Sequence, residues 1–282
     1  MSRITMKNIA AMSVQYVHYS FDYYLESMQK CSLTNVDLWG GIPHYCRLDY
    51  PWTPNAVKRT SELRKKIEDR GMKVVVYTPE TLGYPYSFSS PQREVRERTV
   101  DYFSMAMDDA LQFGTDKVFL NSGCGLLDLP REESWARCRD TFRTICTIAE
   151  QKNITMVLEQ LQPYESDLVV TLPDVARMLE EVDSPALKVC IDVVAMAVSR
   201  ERIEEYFKVL GPDAIALIHY ADTFHYILGD GDLPLVDYIR ELEELDYEGI
   251  VDLEINDSIY WADPHTSLLR SVEYLRRFLP EA

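Results

Sequence analysis

Paired cysteines are missing from this chain of 282 residues. Its six cysteines, Cys31, Cys46, Cys124, Cys138, Cys146 and Cys190, are scattered without a CxxC pair, which excludes a CxxC-based site and reads as reduced thiols. No basic-then-apolar leader opens the sequence, so a cytoplasmic location is expected. Long apolar runs are also lacking. The uninterrupted stretches fall far short of the roughly 20 residues of a membrane-spanning helix, and no membrane partner is expected. Basic charge is in deficit: 29 Lys and Arg stand against 46 Asp and Glu, a net charge of −17. Such a surface repels phosphate backbones, so nucleic acid is not an expected partner. No linker-like or low-complexity stretch interrupts the chain. With 46% apolar residues it can build one large core, and a single domain over residues 1–282 is expected.

What is present is an alternation of short β-branched runs with longer amphipathic segments, the pattern of parallel strands joined by helical crossovers. Eight runs can be counted: Asn8 to Val14, Asn35 to Trp39, Lys73 to Tyr77, Lys117 to Asn121, Thr155 to Glu159, Leu187 to Asp192, Ile215 to His219 and Ile250 to Glu254. Between them lie helical patterns. In Gln92 to Phe113, Val95, Val100, Phe103, Met107, Ala110 and Leu111 recur at three-to-five spacing opposite a charged face, which predicts a helix covering the outside of a barrel. Thr171, Pro173 and Asp174 predict another helix start.

Four of the runs close on a polar residue: Glu159, Asp192, His219 and Glu254, with gaps of 33, 27 and 35 residues. Each gap is close to one strand-loop-helix-loop unit, so a parallel (β/α)8 TIM barrel gathers all four at one mouth. In the eighth run Asp252, Glu254 and Asn256 share one face and Val251, Leu253 and Ile255 the other, which predicts polar groups inside and apolar ones toward the helices. Three buried acids would repel one another and suffer desolvation; a divalent cation keeps them ionised. Three carboxylates with one imidazole suit manganese, magnesium or cobalt better than a thiolate-loving ion. The expected cofactor is one divalent cation, Mn2+ first, with Mg2+, Co2+ or Ni2+ as alternatives.

Several motifs carry a resemblance: DLWGGIPH (Asp37 to His44), YTPETLGYPY (Tyr77 to Tyr86), LEQLQPYES (Leu158 to Ser166), the Ile191-Asp192 strand end, HYAD (His219 to Asp222), HYILGDG (His225 to Gly231) and DLEI (Asp252 to Ile255). In this order they resemble the fructoselysine 3-epimerase branch of the sugar isomerase and epimerase family, whose barrel is xylose isomerase-like. The resemblance implies a metal held by Glu159, Asp192, His219 and Glu254, and epimerisation at C3 of a ketose. For that reaction one carboxylate removes the C3 proton, a cation stabilises the enediolate, and a second acid returns a proton to the opposite face. Glu159 and Glu254 are the expected catalytic pair.

Two positions depart from the free-ketose 3-epimerases of the superfamily, which carry a histidine three past the second metal ligand and an arginine six past the liganding histidine. Here these are Ala195 and His225. A small side chain at Ala195 opens space that suits a ketose with an amine-linked amino acid on C1, as in fructoselysine. Glu165 matches the superfamily's substrate-contacting glutamate, and in an acidic pocket it can also meet a protonated amine.

His225, in a Gly-rich loop, is an expected substrate contact. Trp39 is read as a pocket wall and His44 as an imidazole over the pocket, with loop packing beside Pro43 as the bland alternative for the latter. Glu80 either contacts substrate or braces its loop. Tyr84 is a further expected contact; with Tyr86 and Phe88 it forms an aromatic cluster that closes over a sugar or seals a subunit interface. His18 and His265 are read as ordinary surface histidines, Gly229 to Asp232 as a plain turn rather than a calcium loop, and the acids of Glu241 to Glu244 as a solvated face. Apolar residues on outer helices permit a homo-oligomer. The rival readings are a free-ketose 3-epimerase of the tagatose or psicose type, an inosose dehydratase-like hydro-lyase, a non-enzymatic sugar-binding barrel, and a family-two apurinic endonuclease. The charge and the five histidines stand against the last.

Overall fold

Strands β1 (Ile9–Met12), β2 (Asn35–Gly40), β3 (Lys73–Pro79), β4 (Lys117–Asn121), β5 (Thr155–Glu159), β6 (Leu187–Asp192), β7 (Ile215–Tyr220) and β8 (Ile250–Leu253) pair in sequence order and close on themselves, every pair parallel, in a computed structural model that describes residues 4–80 and 85–281. Tyr84 lies outside the described residues. Parallel neighbours need crossovers. These are supplied by α1 (Phe21–Lys30), α2 (Thr53–Glu68), α3 (Arg93–Phe113), α4 (Arg131–Lys152), α5 (Leu172–Val182), the pair α6 (Val193–Val198) and α7 (Ile203–Leu210), and α8 (Leu235–Glu244), with α9 (Pro264–Leu275) following the last strand. The eight expected strands are all present.

Boundaries moved where side chains compete for the backbone. The first strand is shorter than Asn8 to Val14, because Thr5 and Asn8 cap each other around a 3-10 turn at Met6–Asn8 and a second such turn occupies Ser13–Tyr16. The helix read from Gln92 starts at Arg93, with Gln92 as the flanking residue, and stops at Gly114, whose φ of 89° suits glycine. Thr171 accepts a hydrogen bond from the Asp174 amide while the Asp174 carboxylate accepts one from Thr171 N at 3.1 Å. Such a reciprocal cap stabilises a helix start by about 1 kcal/mol.

Strand parity divides the core. Outward residues such as Leu38, Leu120, Leu158, Ile191, Ile218 and Val251 pack with Phe103, Trp135 and Phe142 of the helical layer. Each such side chain, fully buried, contributes about 1.5–3 kcal/mol. Inside the barrel Val76, Phe119, Val157, Cys190 and Leu217 form a separate apolar plug. Two residues further along the same strands stand Glu159, Asp192 and His219, on the same inward side and one layer nearer the mouth. The loop after β2 is tied to α3 by Arg47 Nη1 to Asp109 Oδ1 at 2.7 Å, with both side chains buried and the Tyr45 hydroxyl donating to Asp109 at 2.8 Å.

Candidate active site

Register brings the four strand-end residues together. Asp192 pairs with His219 across β6 and β7, Glu159 with Cys190 across β5 and β6, and His219 with Asp252 across β7 and β8. Glu254 follows the last ladder residue of β8, where its side chain still points inward like that of Asp252. The His219 Nδ1 atom lies 2.5 Å from Glu159 Oε1 and 3.0 Å from Glu254 Oε2. Phe119 stacks on the imidazole, with ring centroids 5.2 Å apart and planes at 20°.

Asp192 also begins α6, its carboxylate accepting from the amides of Val194 (2.8 Å) and Ala195 (3.2 Å). These bonds hold it at one rotamer. His225 completes the ring of charge, its Nε2 standing 3.4 Å from both Asp192 Oδ2 and Glu254 Oε2. It is placed there by an uncommon backbone: Phe224 and His225 both have positive φ, 61° and 60°, which costs about 1–3 kcal/mol per residue unless the surroundings enforce it. They do. Asp222 accepts hydrogen bonds from the amides of Thr223, Gly229 and Leu233 at 2.8–3.0 Å, and the His225 carbonyl accepts from Asn256 N at 3.2 Å.

The two glutamates are electrostatically unequal. Burial, reinforced by the carboxylates of Glu254 and Asp192 and opposed by His219, pushes Glu159 up to about 8. Burial also acts to raise Glu254, but the imidazoles of His219 and His225 overcome it and hold that carboxyl well below the usual range. Burial and the neighbouring Asp252 raise Asp37 well above an ordinary carboxyl, and its oxygens accept the Thr78 hydroxyl at 2.7 and 2.9 Å.

The donor set fits a divalent cation. Among the described residues, Glu159, Cys190 and His219, and likewise Asp192, His225 and Glu254, bring ligand atoms within 4.8 Å of one another. Glu159 Oε1 and Glu254 Oε2 converge on one imidazole nitrogen, an arrangement of donors that a cation can take up. The second group offers two carboxylate oxygens and one imidazole, which suits a hard or borderline cation, while the first adds a thiol.

A cavity of about 300 Å³ opens over these groups, lined by Leu161, Tyr164, Glu165, Phe224, Asn256 and Trp261 beside the glutamates, Asp192 and His225. A second lobe of about 70 Å³ is lined by Met12, Trp39, Glu80, Phe119 and Asn121. Glu159, Glu254 and Asn256 border both. Of the expected contacts, Glu165, His225, Trp39 and Glu80 therefore stand at the cavity. Glu165 is braced by the Gln162 amide at 2.9 Å, and Trp39 Nε1 donates to Glu80 Oε2 at 3.1 Å.

His44 is elsewhere. Its imidazole is buried between Phe21 and Tyr24 with Nε2 3.2 Å from the Tyr19 carbonyl, and burial lowers it to about 4. The packing alternative holds, because the turn after Gly41 directs the ring toward α1. Tyr86 stacks on Tyr102 at 4.0 Å, and Phe88 is buried against Phe103 and Phe142, so neither closes over the cavity. The Gly229 to Asp232 segment is a turn whose amide at Gly229 bonds Asp222. Sequence reasoning missed Asp37 inside the barrel, the stacking of Phe119 on His219, and the cavity wall Trp261, on which His18 packs edge-on at 5.3 Å. Parity with Trp39 was the available signal for Asp37; for Trp261, in a loop, there was none.

Comparison with known proteins agrees with this geometry. A family profile described as xylose isomerase-like TIM barrel matches residues 36–278. The fructoselysine 3-epimerase of Escherichia coli O157:H7 is 30% identical over 251 residues, 87% of this chain and 89% of that protein. The fold superposes on D-psicose 3-epimerase crystallised with D-tagatose, from Clostridium cellulolyticum H10, with a TM-score of 0.79 at 15% identity, covering 97% of this chain and 99% of the other. It also matches a 3-keto-D-glucoside 4-epimerase from E. coli at a TM-score of 0.78 and 16% identity, covering 96% and 99%. The chain belongs to the xylose isomerase-like TIM-barrel family and, within it, to the sugar 3-epimerases, which are isomerases.

Proposed function

We propose that the protein inverts C3 of a ketose whose C1 bears an amine-linked amino acid, interconverting fructoselysine and psicoselysine. The observation that carries the reading is the approach of Glu159 and Glu254 to one imidazole nitrogen from strands on different sides of the mouth. Inversion by proton removal and return needs an acid and a base on opposite faces of the carbon. Glu159 and Glu254 are the two carboxyl groups at the cavity that can fill these roles. Asp192 and His219 act as anchors for a divalent cation, with Glu159 and Glu254 as the other ligands; Mn2+ is the ion we favour. When bound, such an ion polarises the carbonyl and stabilises the negative charge that follows loss of the C3 proton.

Support for the C1 substituent comes from a cavity lined by Glu165, Tyr164 and Trp261 with no Lys or Arg among its lining residues; Ala195 is fully buried and does not line it. A protonated amine finds acidic and aromatic partners there. The relative matched over most of the chain is named for fructoselysine. The six free thiols, four of them buried, suit a reducing compartment, and we place the protein in the cytoplasm. No helix among the described residues is long and apolar enough to cross a membrane.

Proton NMR in D2O with Mn2+-treated protein tests the reading, each reaction being quenched with chelator before the spectrum is taken. Loss of the fructoselysine C3 signal with growth of psicoselysine, abolished by prior chelation, is the expected result. Faster reaction of free fructose would shift the assignment to a free-ketose 3-epimerase, and loss of water would shift it to a hydro-lyase.

A further inference from the structure

Beneath the carboxylate ring, His219 and Asp252 face each other, with Asp37 in the same buried cluster. His219 Nε2 and both carboxylate oxygens of Asp252 make no hydrogen bond, and Nε2 lies 3.9 Å from Asp252 Oδ2, with both side chains fully buried. A neutral imidazole has one N–H and one lone pair. The opposite nitrogen, Nδ1, faces Glu159 and Glu254; if its lone pair is offered to a cation, the proton must sit on Nε2. A buried N–H without an acceptor keeps its full desolvation penalty. The gap is too short to admit a water between the two atoms, and a shift of under about 1 Å closes it to hydrogen-bond length.

The surroundings favour that bond. His219 and Asp252 are register partners on β7 and β8, so their backbones are tied to each other. Phe119 stacked on the ring restricts motion out of its plane. Two other neighbours have comparable reach: Cys190, whose sulfur belongs to the same cluster as Glu159 and His219, and Asp37, which clusters with His219 and Asp252; but a thiol is a weak acceptor beside a carboxylate, and both Asp37 oxygens already accept from the Thr78 hydroxyl.

We propose that Asp252 is a positioning residue: by accepting the Nε2 proton it fixes the tautomer and orientation of His219 so that Nδ1 presents its lone pair to the cation. The inference rests on the reading of His219 as a cation ligand. Partners of this kind raise metal affinity by about 10–100-fold when present.

The test combines isothermal titration with Mn2+ and two-bond proton–nitrogen NMR of the histidines with and without Zn2+, on the full chain and on Asp252→Asn and Asp252→Ala. The His219 signals are assigned by their loss in His219→Asn. In the wild type, Nδ1 is expected to shift on Zn2+ addition while Nε2 keeps its proton. Asp252→Ala should weaken Mn2+ by about 10–100-fold and mix the His219 tautomers. Asp252→Asn should fall between. If Asp252→Ala fails to fold, the isosteric Asp252→Asn carries the tautomer measurement alone. Mn2+ affinity within twofold of wild type, with an unchanged tautomer in the Asp252 variants, would overturn the inference while leaving His219 a ligand. An Nδ1 that ignores Zn2+ in the wild type would remove the ligand reading itself and the inference with it.

Discussion

Glu159 and Glu254 reach the same atom from strands three apart: Oε1 of the first is 2.5 Å, and Oε2 of the second 3.0 Å, from Nδ1 of His219. A cation taken up at that point exchanges these contacts for coordination bonds and relieves carboxylate repulsion. Cation binding should therefore stabilise the fold. At a Mn2+ concentration about 100 times its dissociation constant the gain is about 2.7 kcal/mol, read by calorimetry as a melting temperature several degrees above that of chelated protein. The gain should vanish in His219→Ala; an equal shift in that variant would place the ion elsewhere.

The same pair predicts an asymmetric loss of chemistry. Glu159→Gln and Glu254→Gln should each lower C3 inversion by about 100- to 10,000-fold, the usual worth of a positioned acid or base. With one glutamate left, exchange at C3 should survive for one epimer only. Deuterium uptake into fructoselysine and psicoselysine, measured separately for each variant, reads this out. Uptake into both epimers by either variant would assign the second proton transfer to another group.

His44 makes stability depend on pH. Its folded value near 4 lies below the ordinary 6.5 because the ring is buried, so the unfolded chain binds the proton more readily. Between those values the unfolded state carries more protons and stability falls as pH falls. Its share of the loss from pH 7 to pH 5 is about 2 kcal/mol. Urea unfolding of wild type and His44→Gln at both pH values should show a shallower dependence in the variant, with C3 inversion at neutral pH little changed because His44 does not line the cavity.

Asp222 links loop geometry to the site. Its carboxylate holds three amides of the loop that turns His225 inward. Asp222→Asn replaces one accepting oxygen by a donor and should cost at least about 1.5 kcal/mol, the low end for a hydrogen bond to a charged group. Because His225 is positioned through this loop, KM should rise more than kcat falls. An unchanged KM in a destabilised variant would show that His225 keeps its place without the loop.

Much of this was legible in one dimension because a barrel repeats. Each β-branched run had to face helices on one side and the barrel on the other, so a polar residue at the end of a run announced an inward group. That reading located Glu159, Asp192, His219 and Glu254. It misplaced His44, since a residue in a turn has no parity and its direction depends on what packs around it. The shortened first strand has a similar cause: the Thr5 and Asn8 side chains take up backbone groups that the strand pattern had counted as its own.

The sequence by itself determined the period of the fold, the sign of the surface charge and the chemical character of the site, because these follow from hydrophobic alternation and from side-chain type. Only the tertiary structure decided which atoms meet. Ring closure and strand register set the distances from His219 to Glu159, Glu254 and Asp252, and burial then made chemically identical carboxyls unequal. Those effects depend on the dielectric and on the neighbours around each group, and sequence spacing contains neither.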